Sequence, residues 1–207
     1  IQAFPEPDVL LWALWAGKEA AFKALAKKVP TLPFIPRNFE VHLDDCGLRG
    51  TSTDAGRCSP RVEGAVLTPE GTIPLRVYRR CTCIHALALS EGEEFFDYVF
   101  WRVEVLPELK DVDSLEVESR IVREALKRCV ATHLGWNRKE MEIRRTESGG
   151  RPGPPRLYYQ GRGTTLDLSL SHDGRFGAYA VLMPSPDDRP PESDKSEIAC
   201  RAEDAVL

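Results

Sequence analysis

Two long segments with a helical period, each followed by short strand-like segments, constrain the fold of this chain most strongly. The first, "LWALWAGKEAAFKAL" at residues 11–25, ends before Pro30 and Pro33, because proline cannot continue a helix. The second, at residues 114–136, carries its apolar side chains on one side, as a helix that covers a core does. The sequence therefore predicts that one plan, a long helix and then antiparallel strands, occurs twice.

The strand-like segments are separated by turn signals that are typical of hairpins. Residues 62–68 and 72–78 flank a Pro-Glu-Gly turn, and residues 165–183 surround an Asp-Gly turn. Short turns of this kind join antiparallel strands directly. By contrast, two segments rich in Gly, Ser, Asp or Pro, residues 44–60 and 147–156, are predicted to be irregular loops.

The order of elements divides the chain into three parts. We expect a first half at residues 1–93 and a second half at residues 94–183. A polar tail follows at residues 184–207. Its Pro, Asp and Ser content favours disorder, since such a segment cannot bury enough apolar surface to fold.

Charge and apolar content exclude several classes of protein. The 207 residues carry a formal net charge of -4, so no global basic field indicates nucleic-acid binding. No apolar run reaches the length of a membrane span, and no signal-peptide pattern is present. Cys81-x-Cys83 would suit zinc, but no second ligand pair follows, and reduced thiols are the better interpretation of the six Cys. We therefore expect a cytoplasmic protein without membrane or nucleic-acid partners.

On the first helix, a carboxylate and an ammonium group lie one turn apart among aromatic residues. Trp15, Glu19 and Lys23 follow at intervals of four and lie nearly in line. One interpretation is an exposed Glu–Lys pair worth about 0.2–0.5 kcal/mol. The other is a partly buried carboxylate that requires a cation, for example a metal ion. Periodicity leaves both interpretations open.

A second polar group surrounds the predicted Asp-Gly hairpin. Ser171 and His172 lie near this turn, and Arg151 lies in a loop whose glycines allow close approach of the backbone to a ligand. These side chains are phosphate binders, although a single His at a strand end is more often structural. Further positive charge, or a solvated basic face, comes from Arg120, Arg123 and Arg128. Together, the two polar groups suit a metal-assisted reaction on a phosphorylated substrate.

Three short segments resemble the motifs of one family. "WAGKEAAFK" at residues 15–23 resembles the W-x-x-K-E-[AS]-x-x-K motif of 4′-phosphopantetheinyl transferases. "GGRPG" at residues 149–153 and "LSLSHDG" at residues 168–174 resemble that family's G-K-P loop and S-H motif, with Arg151 in place of the usual Lys. The similarity covers most of residues 8–183, and three motifs in one chain are more specific than any one alone.

The resemblance implies a fold and a ligand. In the larger single-chain members, two similar α+β halves, each a long helix packed on a small antiparallel sheet, are related by a pseudo-twofold axis. Coenzyme A lies in the cleft between them. Here the K-E-A motif precedes the S-H motif, an order that resembles the small holo-acyl-carrier-protein synthases. We expect a monomer built of two such halves.

The implied activity is transfer of the 4′-phosphopantetheine arm of coenzyme A to a serine of an acyl or peptidyl carrier protein, with 3′,5′-ADP leaving. By resemblance, Glu19 is a Mg²⁺ ligand that helps to deprotonate the serine, and Lys23 is a catalytic residue that reaches the pyrophosphate. The residues expected to bind coenzyme A are Lys23, Arg151, Pro152, Ser171 and His172. Carriers of fatty-acid, polyketide and peptide synthesis fit the resemblance equally.

One motif of the family is missing. Its members carry G-x-D on a strand before the K-E-A helix, and the Asp binds Mg²⁺, but no G-x-D precedes Trp15. Since the chain also lacks an initiator Met, we expect the natural protein to continue upstream with this motif. The alternative is a coenzyme A-binding module without catalytic activity. Trp15 is expected to pack, and Lys18 is turned about 100° from Glu19 around the helix.

Overall fold

The fold consists of two long helices and three antiparallel sheets. The computed structural model describes residues 7–44, 61–80, 83–108, 114–148 and 151–184. The helices are α1, Pro7–Lys28, and α2, Ser114–Leu134. The strands are β1 Glu40–Leu43, β2 Arg61–Thr68, β3 Gly71–Arg80, β4 Cys83–Ala88, β5 Val99–Val105, β6 Met141–Ser148, β7 Arg151–Tyr159, β8 Arg162–Gly163, β9 Asp167–Asp173 and β10 Phe176–Leu182. The predicted α+β class is confirmed.

The first helix packs on a four-stranded sheet in the order β1-β2-β3-β4, mainly against β4. The predicted hairpin is confirmed by β2 and β3, whose register pairs Thr68 with Gly71. Small residues let α1 approach the sheet closely. A Cβ on Gly17 would lie 3.0 Å from Leu75 Cδ2 and 3.3 Å from Val41 Cγ2. The side of α1 away from this sheet is partly exposed.

The second helix packs on a three-stranded sheet in the order β5-β10-β9, beside a third sheet in the order β6-β7-β8. The predicted hairpin at residues 165–183 is confirmed by β9 and β10. The aliphatic residues that fill the core between α2 and these sheets include Val122, Leu126, Val130, Ile143, Leu157 and Leu168. A Cβ on Gly177 would clash with Val122 Cγ2, so α2 and β10 pack too closely there for a side chain.

The prediction of an irregular loop at residues 147–156 is wrong. Strand β6 continues to Ser148, and β7 begins at Arg151 and pairs with it. Proline cannot donate a hydrogen bond to a neighbouring strand and is therefore confined to one-sided or irregular parts of a sheet. That condition is met at Pro154 and Pro155, because β8 pairs only with Tyr158 and Tyr159, and the register with β6 shifts near Arg145.

The two helix-bearing parts of the molecule are joined by packing and by an ion pair. Leu87, Leu89 and Phe96 form a small core that Trp101 and Ala180 extend into the second sheet. Lys27 Nζ on α1 lies 2.6 Å from Asp167 Oδ1 on β9. The boundary expected between residues 93 and 94 stays a prediction.

Several further predictions concern residues outside the described part of the chain. These are most of the loop at residues 44–60, the tail from residue 185 onward, and Cys81 of the Cys81-x-Cys83 pair. Within the described ranges, no helix combines the length and the apolar character needed to cross a membrane.

Candidate functional site

A cleft of about 1110 Å³ lies between α1 and β4 on one side and the β9–β10 hairpin on the other. Glu19 and Lys23 line it from α1, and Ser171 and His172 line it from β9. The K-E-A and S-H motifs are far apart in the sequence, and the fold brings them to one cleft.

The cleft side of α1 is opposite its packed side. The buried residues of α1 are Ala13, Gly17, Ala21, Ala24 and Leu25. On the cleft side, Trp12 is 54% exposed and Trp15 is 41% exposed. Trp15 packs edge-on against Phe34, with ring centroids 5.9 Å apart. Trp15 therefore packs as expected and also forms part of the cleft wall.

Glu19 and Lys23 form a loose ion pair within this wall. Glu19 Oε2 lies 3.9 Å from Lys23 Nζ, and both side chains are about two-fifths exposed. Burial lowers the pKa of Lys23 below its ordinary value. Glu19 opposes this shift, whereas Arg145 and Lys27 add to it by repulsion. The pair thus has features of both interpretations that the sequence left open: it is partly exposed, and the partly buried Glu19 carboxylate has a cation, Lys23, beside it.

Lys18 has a different role from its motif neighbours. Its ammonium group donates a hydrogen bond to the carbonyl oxygen of Pro36 at 2.9 Å, and it does not line the cleft. Lys18 therefore ties α1 to the segment that leads into β1. This contact stabilises the helix position without contacting a ligand in the cleft.

Glu19 has the chemistry of a Mg²⁺ ligand, but it does not form a cage. In the described ranges, no group of three or more His, Cys, Asp or Glu residues is placed to hold a metal ion. Asp8 also lines the cleft, yet it lies about three turns, or roughly 16 Å, from Glu19 along α1. Mg²⁺ is commonly held by one or two carboxylates together with substrate phosphates. A single carboxylate fits an ion that a phosphate ligand shares.

The S-H hairpin presents its two faces to different surroundings. Leu168 is buried and Leu170 packs against the α2 core. Alternation places Asp167, Ser169 and Ser171 on the other face of β9, towards the cleft. All three line it. Alternation accounts for these three residues but not for His172, which follows Leu168 and Leu170 on the opposite face and also lines the cleft.

A smaller pocket of about 240 Å³ adjoins the cleft. Its polar lining combines Lys23 with Ser119, Arg145, Ser171 and His172. Lys23, Ser171 and His172 therefore line both spaces. The sequence analysis did not find Arg145 or Ser119. The available signal for Arg145 was its place in β6, two residues after Ile143 on the core-facing side.

The other predicted phosphate binders are placed less directly. The backbone of Arg151 and Pro152 belongs to β7, paired with Ser148 and Glu147, but their side chains lie outside the described structure. The three helical arginines line neither of the two pockets; they are Arg120, Arg123 and Arg128.

Comparison of the chain with protein-family models, with curated proteins and with solved structures gave no significant match. A proposal of function therefore rests on the residues of the cleft and on the resemblance of its motifs.

Proposed function

We propose that the protein transfers the 4′-phosphopantetheine arm of coenzyme A to a serine of an acyl or peptidyl carrier protein. The observation that carries the proposal is that Lys23 of the K-E-A motif lines the same small pocket as Ser171 and His172 of the S-H motif. In the family that these motifs resemble, both motifs bind the same ligand, coenzyme A. A cleft of about 1110 Å³ beside that pocket is large enough for a cofactor-sized molecule.

In this proposal the two motifs act on different parts of coenzyme A. Lys23 binds the pyrophosphate, where its ammonium group offsets the charge that develops on the leaving phosphate. Ser171 and His172 hold the 3′-phosphate through charge-assisted hydrogen bonds. Arg151 and Pro152 are proposed to complete this subsite.

Glu19 acts at the reacting end of the ligand. Its carboxylate would hold Mg²⁺ and accept the proton of the carrier serine. The serine oxygen then bonds to the phosphorus of the phosphopantetheine arm as the pyrophosphate bond breaks and 3′,5′-ADP leaves. When bound, Mg²⁺ would neutralise charge on the pyrophosphate oxygens.

The wider expectations belong to the same proposal. The two helix-bearing parts would be related by a pseudo-twofold axis with coenzyme A between them. The protein would act in the cytoplasm as a monomer. Its carrier substrate would approach the open side of the cleft.

Intact-mass spectrometry tests the activity directly. The full-length protein is incubated with coenzyme A, Mg²⁺ and a panel of apo carriers from fatty-acid, polyketide and peptide synthesis. We expect one carrier class to gain the phosphopantetheine mass, and a Ser→Ala carrier to gain none. Binding of coenzyme A without modification of any carrier would favour the inactive binding module. Absence of both binding and transfer would refute the proposal.

A further inference from the structure

Arg145 lies at the point where the core-facing side of β6 meets the small pocket. Met141 and Ile143 precede it on the same side of the strand, and both are buried. Arg145 continues this row past the apolar core and lines the pocket together with Lys23. Its neighbour Arg144 points to the opposite side of β6, where it pairs with Glu142 and lies over the Tyr158 ring.

The contacts of Arg145 leave its guanidinium available to a ligand. Its Nη1 donates a hydrogen bond to the carbonyl oxygen of Gly153 at 3.2 Å. Among the described residues, no carboxylate forms an ion pair with it. A guanidinium has further donors in a planar fork that matches two phosphate oxygens. One backbone contact therefore orients the side chain, and the described part of the chain engages no further donor of its guanidinium.

The charges around the small pocket are unbalanced. Lys27 is paired with Asp167 at 2.6 Å, whereas the ion pair of Lys23 with a described residue is the looser contact with Glu19 at 3.9 Å. Arg145 and Lys23 line the same small pocket, so two like charges repel each other across it. An anion placed between Lys23 and Arg145 would relieve this repulsion.

We propose that Arg145 is a ligand-binding residue that makes the small pocket select a phosphate monoester. Arg145 supplies the positive charge that pairs with this phosphate, and Lys23, proposed above to bind the pyrophosphate, adds a second positive charge from the wall of the same pocket. The hydroxyl groups of Ser119 and Ser171 and the imidazole of His172 supply the remaining hydrogen bonds. The inference rests on the proposed function in one respect, namely that the 3′-phosphate of coenzyme A is the monoester bound.

Calorimetric titration with coenzyme A, dephospho-coenzyme A and inorganic phosphate tests the role of Arg145. Arg145→Ala should weaken binding of coenzyme A roughly ten-fold or more, because a charge-assisted hydrogen bond is lost. Binding of dephospho-coenzyme A, which lacks the 3′-phosphate, should change little. Arg145→Lys should recover part of the loss, since it restores the charge without the planar fork.

Arg144→Ala is the matched control, because it removes the same charge from the opposite side of the same strand. We expect its affinities to equal those of the wild type. An equal loss in Arg144→Ala, or an equal loss for both forms of coenzyme A in Arg145→Ala, would overturn the inference and leave the proposed function standing.

The two proposals fail in different ways. If the wild type binds no coenzyme A, the proposed function is wrong, and inorganic phosphate alone decides the inference. Phosphate binding that Arg145→Ala weakens and Arg144→Ala preserves would support an anion pocket with another ligand. The inference would be overturned if the wild type does not bind phosphate, or if Arg145→Ala binds phosphate as tightly as the wild type does. Far-ultraviolet circular dichroism of each variant verifies that the fold is intact.

Discussion

The two long helices are nearly equal in length, with 22 residues in α1 and 21 in α2, but they are used differently. Helix α2 buries a row of aliphatic side chains in the core and contributes Ser119 and Val122 to the small pocket, whereas its arginines line neither pocket. Helix α1 buries mainly alanine and glycine and lines the cleft with Glu19 and Lys23. The helix that carries more of the candidate site is the one whose second face is only partly covered.

The difference follows from side-chain size. Small residues on α1 bring its backbone close to the sheet, so one narrow face is sufficient for packing. The large aliphatic residues of α2 fill the space between two sheets. Because the apolar face of such a helix is buried in the core, few of its side chains reach a ligand cleft.

A Glu→Gln substitution on each helix should give the largest contrast, a difference in the rate of transfer. Glu19 on α1 and Glu124 on α2 are each 41% exposed and each paired with a Lys on the same helix. Glu19→Gln removes the proposed ligand charge and should lower the transfer rate by roughly three orders of magnitude. Glu124→Gln should leave the rate unchanged. Carrier modification followed by intact-mass spectrometry measures both.

Binding of coenzyme A to Glu19→Gln shows whether a lost transfer rate comes from lost chemistry or from a disrupted fold. We expect it to remain largely intact, because the amide keeps the shape of the carboxylate and Lys23 remains in place. A transfer rate within a few-fold of wild type would exclude Glu19 as the metal ligand, and a similar loss in Glu124→Gln would remove the contrast between the helices.

Truncation of a large apolar residue on each helix should give the opposite contrast in stability. Leu126 on α2 is 0% exposed, whereas Trp12 on α1 is 54% exposed. Leu126→Ala should lower the free energy of unfolding by about 2–5 kcal/mol, because it leaves a cavity in the core. Trp12→Ala should cost less than about 1 kcal/mol. Urea titrations measure both values, provided that the slope of unfolding free energy against urea concentration is the same as in the wild type. Equal losses would show that Trp12 packs against the fold.

Much of the fold could be predicted because its elements are locally encoded. Both helices have a clear period and end near prolines or glycines, and both hairpins surround short turns. The strand at residues 151–159 could not be predicted in this way. Its prolines indicate a loop when considered alone, and they are tolerated only because β8 leaves that section of β7 without a second neighbour.

The candidate site was predictable where a motif carries it and not where packing creates it. Glu19, Lys23, Ser171 and His172 lie in segments with a recognisable pattern, and all four line the cleft. Arg145 has no motif. Its position at the end of an apolar row becomes meaningful only when β6 packs beside α1 and α2 around one pocket.

The smallest effect, and the most direct test of the geometry around Lys23, is on its titration. Burial lowers the pKa of Lys23 in the folded protein, so the unfolded chain binds the proton more tightly. The contribution of Lys23 to stability therefore rises with pH between its lowered folded pKa and the ordinary value.

Glu19→Gln should lower the pKa of Lys23 further, whereas Arg145→Ala should raise it, since Glu19 attracts and Arg145 repels the ammonium charge. Nuclear magnetic resonance of lysines labelled at the side-chain nitrogen, with the signal assigned by Lys23→Met, measures each midpoint. Glu124→Gln on α2 should leave the midpoint in place. If the pKa of Lys23 shifts in the same direction in Glu19→Gln and in Arg145→Ala, the two residues do not act on Lys23 with opposite charges. The arrangement of the small pocket would then be wrong.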